Sequence, residues 1–192
     1  MQSLRPQIKE LHYLGKCGKI KMLKKYLECG RVQNTHGVKG MMRIGHLCDS
    51  AEVFCSLDEV FTEDNGNYSA HKVLSAHEHG SVILLALDGV NTVEEAQKLK
   101  GRMLFARRED LPLDEGSHFI ADLIGLRVYD AESGKLYGTL TDVMNRGASD
   151  VYEIKTERGE VLMPAVDEFV KEVDLERGIF ITPIEGMFPD EI

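Results

Sequence analysis

Along most of the chain, apolar residues recur in short runs at alternating positions, and glycine, asparagine or aspartate separates the runs. Half-buried strands joined by tight turns read this way. Tyr26 to Gln33 predicts a first strand and Met41 to Leu47 a second, with Met42, Ile44 and His46 on one face and Met41, Arg43 and Gly45 on the other. After a short stretch from Ala51 to Ser56, further strands are expected at Glu59 to Thr62, Ser69 to Ala76, Ser81 to Leu87 and Met103 to Ala106. The D-N-G-N and H-E-H-G segments between them are hairpin signals, because glycine takes positive φ without steric penalty.

One segment breaks the alternation. Asn91 to Gly101 predicts a short helix: Asn91 or Thr92 can cap it, Glu94 and Glu95 fall in the first turn, and Lys98 and Lys100 in the last. Gly101 ends it. Val93, Ala96 and Leu99 form one apolar stripe, which would cover a barrel end. A charged stretch containing Pro112 and Gly116, near residues 108–117, then reads as an exposed linker. Beyond it strands resume at Leu126 to Tyr129, Leu136 to Met144, Asp150 to Lys155, Val161 to Met163 and Gly178 to Thr182. The expected fold is all-β: two small β-barrels, 22–108 and 117–192, joined by a short linker, with a few short helices. Closing each sheet removes the exposed edges that open sheets would leave. Residues 1–21 lack a clear period and are expected to be a poorly ordered extension, with Met22 a plausible natural start.

Composition narrows the class. A chain of 192 residues with 43% hydrophobic and 29% charged residues is neither wholly disordered nor collagen-like. The longest apolar run, Val82 to Leu87, falls far short of the roughly 20 residues a membrane helix needs. The basic first residues lack the apolar core and cleavage site of a secretory signal, so a cytoplasmic protein is expected. Cys17, Cys29, Cys48 and Cys55 have no zinc-site spacing and read as reduced thiols. The lone H-x-H of His77 and His79 reads as a solvated strand end. No metal and no cofactor are expected. Net charge is −9, but residues 1–45 hold ten Lys/Arg against two acids, while the remaining 147 residues hold thirteen against thirty. A basic front on an acidic body implies two faces with different partners, phosphates at one and a basic protein at the other.

Three constellations carry candidate chemistry. In Asn34 to Gly40, N-T-H-G-V-K-G, two glycines three apart form a tight loop whose amides can approach an anion, with Lys39 and Arg43 supplying charge. The alternative is a plain hairpin turn. Lys98, Lys100, Arg102, Arg107 and Arg108 form a second basic cluster able to meet RNA phosphates, which would make binding steeply salt-dependent. His118 and Phe119 are adjacent, so on one strand both rings could not point to the same face, and one would be exposed as a partner anchor. No nucleophile elbow, H-E-x-x-H or dinucleotide fingerprint occurs. The expectation is a binding protein, not an enzyme.

Four blocks in order resemble one family. G-R-V-Q-N-T-H-G-V-K-G resembles the N-terminal signature of the ribosome maturation factor RimM family. E-E-A-Q-K-L-K-G-R-M-L-F is similar to its segment before the last barrel strand. F-I-A-D-L-I-G-L-R-V with G-K-L-Y-G-T-L-T-D-V resembles the opening of a PRC-barrel, and M-P-A-V-D-E-F-V-K-E-V-D-L with the late E-G-M resembles its end.

The resemblance implies a translation-factor-type barrel followed by a PRC-barrel, acting as a non-catalytic chaperone of rRNA processing. The implied partners are small-subunit ribosomal protein nineteen and nearby small-subunit rRNA in the head of the immature subunit, bound by a monomer. The family's paired tyrosines fall at His118 and Phe119, the implied ribosomal-protein anchor. Phe119 keeps an aromatic face and His118 loses the phenol. The family's acid after H-G-x-x-G is Met41 here. Candidate rRNA contacts are His36, Lys39, Arg43, Arg102, Arg107 and Arg108. Two rivals stand beside this reading: a flavin-binding reductase-type barrel, and a PRC-barrel interaction module unrelated to ribosomes.

Overall fold

The computed structural model describes residues 23–114, 116–145 and 149–188. The expectation for residues 1–21 falls outside them. Six strands close into a barrel: β1 (Tyr26–His36), β2 (Met41–His46), β3 (Glu59–Asp64), β4 (Asn67–His79), β5 (Val82–Leu87) and β6 (Met103–Arg107), in the order β1-β2-β5-β4-β3-β6. Closure depends on β1, which pairs with β6 through its first half and with β2 through its second. Register shifts between Glu28 and Gly30 and between Val32 and Asn34 bend it enough to serve both partners. Met42, Ile44, Ile83, Leu85 and Leu104 are fully buried inside, as period-two patterning requires. The D-N-G-N turn joins β3 to β4 with Asn65 at φ +51° and Gly66 at φ +83°, a backbone suited to the right-handed twist of a hairpin.

Two helices serve the barrel. Helix α1 (Ala51–Cys55) was not legible as a helix; Ser50 Oγ accepts from the Val53 N–H at 3.3 Å, and Phe54 is driven into the core. A Cβ on Gly30 would stand 2.9 Å from the Phe54 ring and 2.8 Å from Ile44, so β1 omits a side chain where α1 docks. Helix α2 (Val93–Leu99) lies within the expected segment, and Thr92 is its cap. Thr92 Oγ1 accepts from the Glu95 N–H at 3.2 Å, and the Glu95 carboxylate accepts from the Thr92 and Asn91 N–H groups at 3.1 and 2.7 Å. These bonds hold the exposed Glu95 carboxyl below its usual range. Thr92→Ala should lower stability by about 1 kcal/mol, a fall in melting temperature of about 2–4 °C for a chain of this size. An unchanged thermal melt would show that packing of Ala96 alone fixes the helix.

After a 3₁₀ turn at Arg108–Asp110 and helix α3 (Ile120–Leu123), a second six-stranded sheet follows. It comprises β7 (Arg127–Asp130), β8 (Leu136–Asn145), β9 (Asp150–Thr156), β10 (Gly159–Pro164), β11 (Val170–Asp174) and β12 (Gly178–Ile181), in the order β10-β9-β8-β7-β12-β11. Only β7 and β12 pair in parallel. One core, including Val128, Leu140, Ile154, Met163, Ile179 and Phe188, serves all six strands, with Val170 and Val173 of β11 packed against it. Among the described residues the hydrogen-bonded ladder runs between two ends, β10 and β11, so this sheet does not close through its ladder as the first does. The all-β class with few short helices is what the alternation implied.

Candidate functional site

The residue pair implied as a partner anchor sits where the chain enters α3. His118 and Phe119 belong to no strand, and both are half-buried; Ile120 beside them is 48% exposed. Phe119 occupies the N-cap position without a side-chain cap. Its ring is covered by Arg108, whose guanidinium carbon lies 4.9 Å from the ring centroid, a favourable cation–π distance.

Arg108 ties this segment to the barrel. Its backbone N–H donates to Lys25 O at 2.9 Å and its Nε to Lys24 O at 3.0 Å, fixing it to the lead-in of β1. Its Nη2 donates to both carboxylate oxygens of Asp122, at 2.5 and 2.7 Å. Asp122 is only 2% exposed, so this is a buried, charge-assisted pair. One side chain therefore joins β1, Phe119 and α3. Nothing in the residues' spacing signalled it, because the acid lies across a loop and belongs to a one-turn helix.

The basic cluster expected around β6 is not an open stripe of charge. Arg102 Nη2 meets Asp64 at 2.8 Å and donates to Glu63 O at 2.7 Å. Arg107 pairs with Glu59 at 2.7 Å and stacks over Phe61. With Arg108 held by Asp122, all three arginines have carboxylate partners within the fold. Each pair offsets charge that would otherwise meet a phosphate, although the Arg102 and Arg107 side chains stay 36% and 32% exposed. Lys39 and Arg43 differ. Both are exposed and neither has an ion pair among the described residues. Lys39 follows Val38, 80% exposed, at the tip of the β1–β2 hairpin. His36 at the hairpin's base is half-buried, its ring 6.1 Å from that of His79.

The cysteines favour packing over chemistry. Cys29, Cys48 and Cys55 are free; Cys17 lies outside the described residues. Burial, reinforced by Cys48, pushes the Cys29 thiol up, and burial with the Asp49 charge raises Cys48 to about 11. Their thiolates are scarce at neutral pH, so these two are poor nucleophiles. A polar cleft of about 670 Å³ is lined by Asp58, Glu59, Lys72, Arg107 and Asp110 among others, with Arg107 paired to Glu59 and Asp110 across it. Among the described residues no cluster of three His, Cys, Asp or Glu could hold a metal ion, and no helix is long and apolar enough to cross a membrane.

The two sheets coincide with two family models, RimM N-terminal domain over residues 27–111 and RimM PRC barrel domain over residues 120–187. This chain belongs to the RimM family. It is 38% identical over 165 residues to the ribosome maturation factor RimM of Clostridium botulinum (strain Langeland), covering 85% of this chain and 97% of that one. It is 36% identical to that of Clostridioides difficile (strain 630), covering 84% and 95%. A solved structure described as a 16S ribosomal RNA processing protein RimM, from Pseudomonas aeruginosa, matches with a TM-score of 0.43 at 22% identity, over 82% of this chain and 97% of that one.

Proposed function

We propose that this chain is a ribosome maturation factor: a non-catalytic assembly chaperone that binds the head of the immature small subunit in the cytoplasm and supports rRNA processing. The observation that carries the reading is the ordered match of both sheets to relatives named ribosome maturation factor. Residues 22–108 and 117–192 act as its two modules. The barrel module approaches rRNA through His36, Lys39 and Arg43, the last two without an ion pair among the described residues. The second module takes ribosomal protein nineteen through His118 and Phe119. Residues 117–192 carry sixteen acids against seven Lys/Arg, which suits a basic protein partner. A chaperone of this kind works by differential affinity, holding the immature particle and leaving the mature one.

Pull-down of assembling small subunits at graded salt tests it. Lys39→Ala and Arg43→Ala should each lower the salt slope of binding by about one. His118→Ala with Phe119→Ala should weaken capture at least about ten-fold, with a thermal melt checking the fold. Equal affinity for mature subunits, or undiminished capture by the double variant, counts against the reading. Loss of the gene should let precursor small-subunit rRNA accumulate.

A further inference from the structure

Four aromatic rings gather on the outside of the barrel. Phe61 of β3 lies in register with Phe105 of β6, Tyr26 of β1 lies opposite Arg107, and Tyr68 of β4 lies opposite Glu63. Their sequence neighbours Val60, Leu104 and Ala106 belong to the inner core, so alternation turns these rings outward. Tyr26 and Tyr68 stack at 4.1 Å, Tyr26 tilts against Phe61 at 4.8 Å, and Tyr68 meets Phe105 edge-on at 5.2 Å. Phe61 is only 3% exposed although it faces away from the core, so the other rings and Arg107 cover it.

The cluster is capped by the chain's own cations at one end only. The Arg107 guanidinium lies 4.8 Å from the Phe61 ring centroid, and the Lys25 ammonium 5.6 Å from that of Tyr26. Among the described residues Tyr68 has no such cation, and it is 37% exposed. In the ladder Glu63 lies opposite Tyr68, and Glu28 lies opposite Phe105, whose ring Tyr68 touches; the Glu63 carboxylate also accepts from the Gly66 N–H. Burial, then Glu63, with Tyr26 and Glu28 behind it, pushes the Tyr68 phenol up. A ring face with carboxylates beside it attracts a cation and repels a phosphate.

We propose that the Tyr68 end of this cluster, flanked by Glu28 and Glu63, is a docking site for an arginine side chain on an extended basic polypeptide. The guanidinium lies over the phenol ring as Arg107 lies over Phe61, while its N–H groups donate to the two carboxylates. This surface is built from barrel residues other than His118 and Phe119, and needs no ribosome for its test. Titration calorimetry of the full chain with a short alternating arginine–serine peptide should give saturable binding. Tyr68→Leu keeps apolar contact with Tyr26 and Phe105 and leaves the net charge unchanged, so it separates the ring from general attraction to an acidic chain. It should weaken binding about five-fold or more, as should Glu28→Gln combined with Glu63→Gln. A single-stranded oligouridine titrated in parallel should bind Tyr68→Leu and the parent chain alike. Absent peptide binding, or peptide binding indifferent to either variant, overturns the site. Oligouridine affinity that falls with Tyr68→Leu also overturns it, assigning the face to nucleic acid.

Discussion

Replacing Arg108 with Ala should lower the unfolding free energy by about 3–5 kcal/mol, the largest loss expected from any single charge among the described residues. The reason is the asymmetry of its ion pair. The Arg108 side chain is 25% exposed, whereas Asp122 is almost wholly enclosed. Without the guanidinium, the carboxylate loses two charge-assisted bonds where water reaches it poorly. Removal of the acid is milder: in Asp122→Ala the arginine can keep its bond to Lys24 O, its contact with the Phe119 face and its access to solvent. That variant should lose about 1–3 kcal/mol. Replacing both with apolar residues of similar size, Arg108→Met with Asp122→Leu, should recover much of the Arg108→Ala loss, because a buried pair rarely outperforms good packing. Urea unfolding of the three variants measures the order. A larger loss from Asp122→Ala than from Arg108→Ala would overturn it.

The same pair bears on the function proposed for His118 and Phe119. His118 and Phe119 precede α3, and Arg108 holds both that helix and the Phe119 ring against the entry of β1. Under the proposed function, a partner taking Phe119 would meet a ring already backed by a cation and held in one orientation. A variant that loses the pair should therefore weaken subunit capture even where the isolated sheets stay folded.

Much of this architecture is legible in the residues. The barrel strands show as alternation, the β3–β4 turn as Asn-Gly, and α2 carries its cap, its first-turn acids and its terminating glycine. What escaped has physical causes. Helices α1 and α3 are about one turn each, too short to display a period of 3.6. The register shift between Val170 and Glu172 breaks the alternation of β11. The basic cluster around β6 was counted without its partners, since Glu59 and Asp64 come from a strand some forty positions earlier and only barrel closure brings them to Arg107 and Arg102. The His118–Phe119 pair was legible as two adjacent rings and again through the resemblance, but it lies outside any strand, and its setting against Arg108 follows only from the fold.

Gly40→Ala should destabilise the barrel by about 3 kcal/mol or more, while Gly37→Ala should cost about 1–2 kcal/mol. Both glycines of the β1–β2 loop have positive φ, +63° at Gly37 and +74° at Gly40, so each substitution carries the left-handed penalty of a residue with a Cβ. Space separates them. A Cβ at Gly37 meets nothing within 4 Å, but one at Gly40 would stand 2.2 Å from Val90 O and 3.0 Å from the Asn91 carbonyl carbon. Those are backbone atoms, and no rotamer change moves them away. The loop must lift or the 90–91 segment must retreat. Retreat would disturb α2, because the Asn91 N–H donates to Glu95 beside the Thr92 cap. Gly40→Ala and Thr92→Ala should therefore combine non-additively, by more than the about 0.5 kcal/mol tolerated for independent sites. On this account the second glycine of H-G-x-x-G serves close packing, while Gly37 leaves the Val38–Lys39 tip free to meet a partner. Equal losses at the two glycines, or strict additivity with Thr92→Ala in denaturant unfolding, would defeat it.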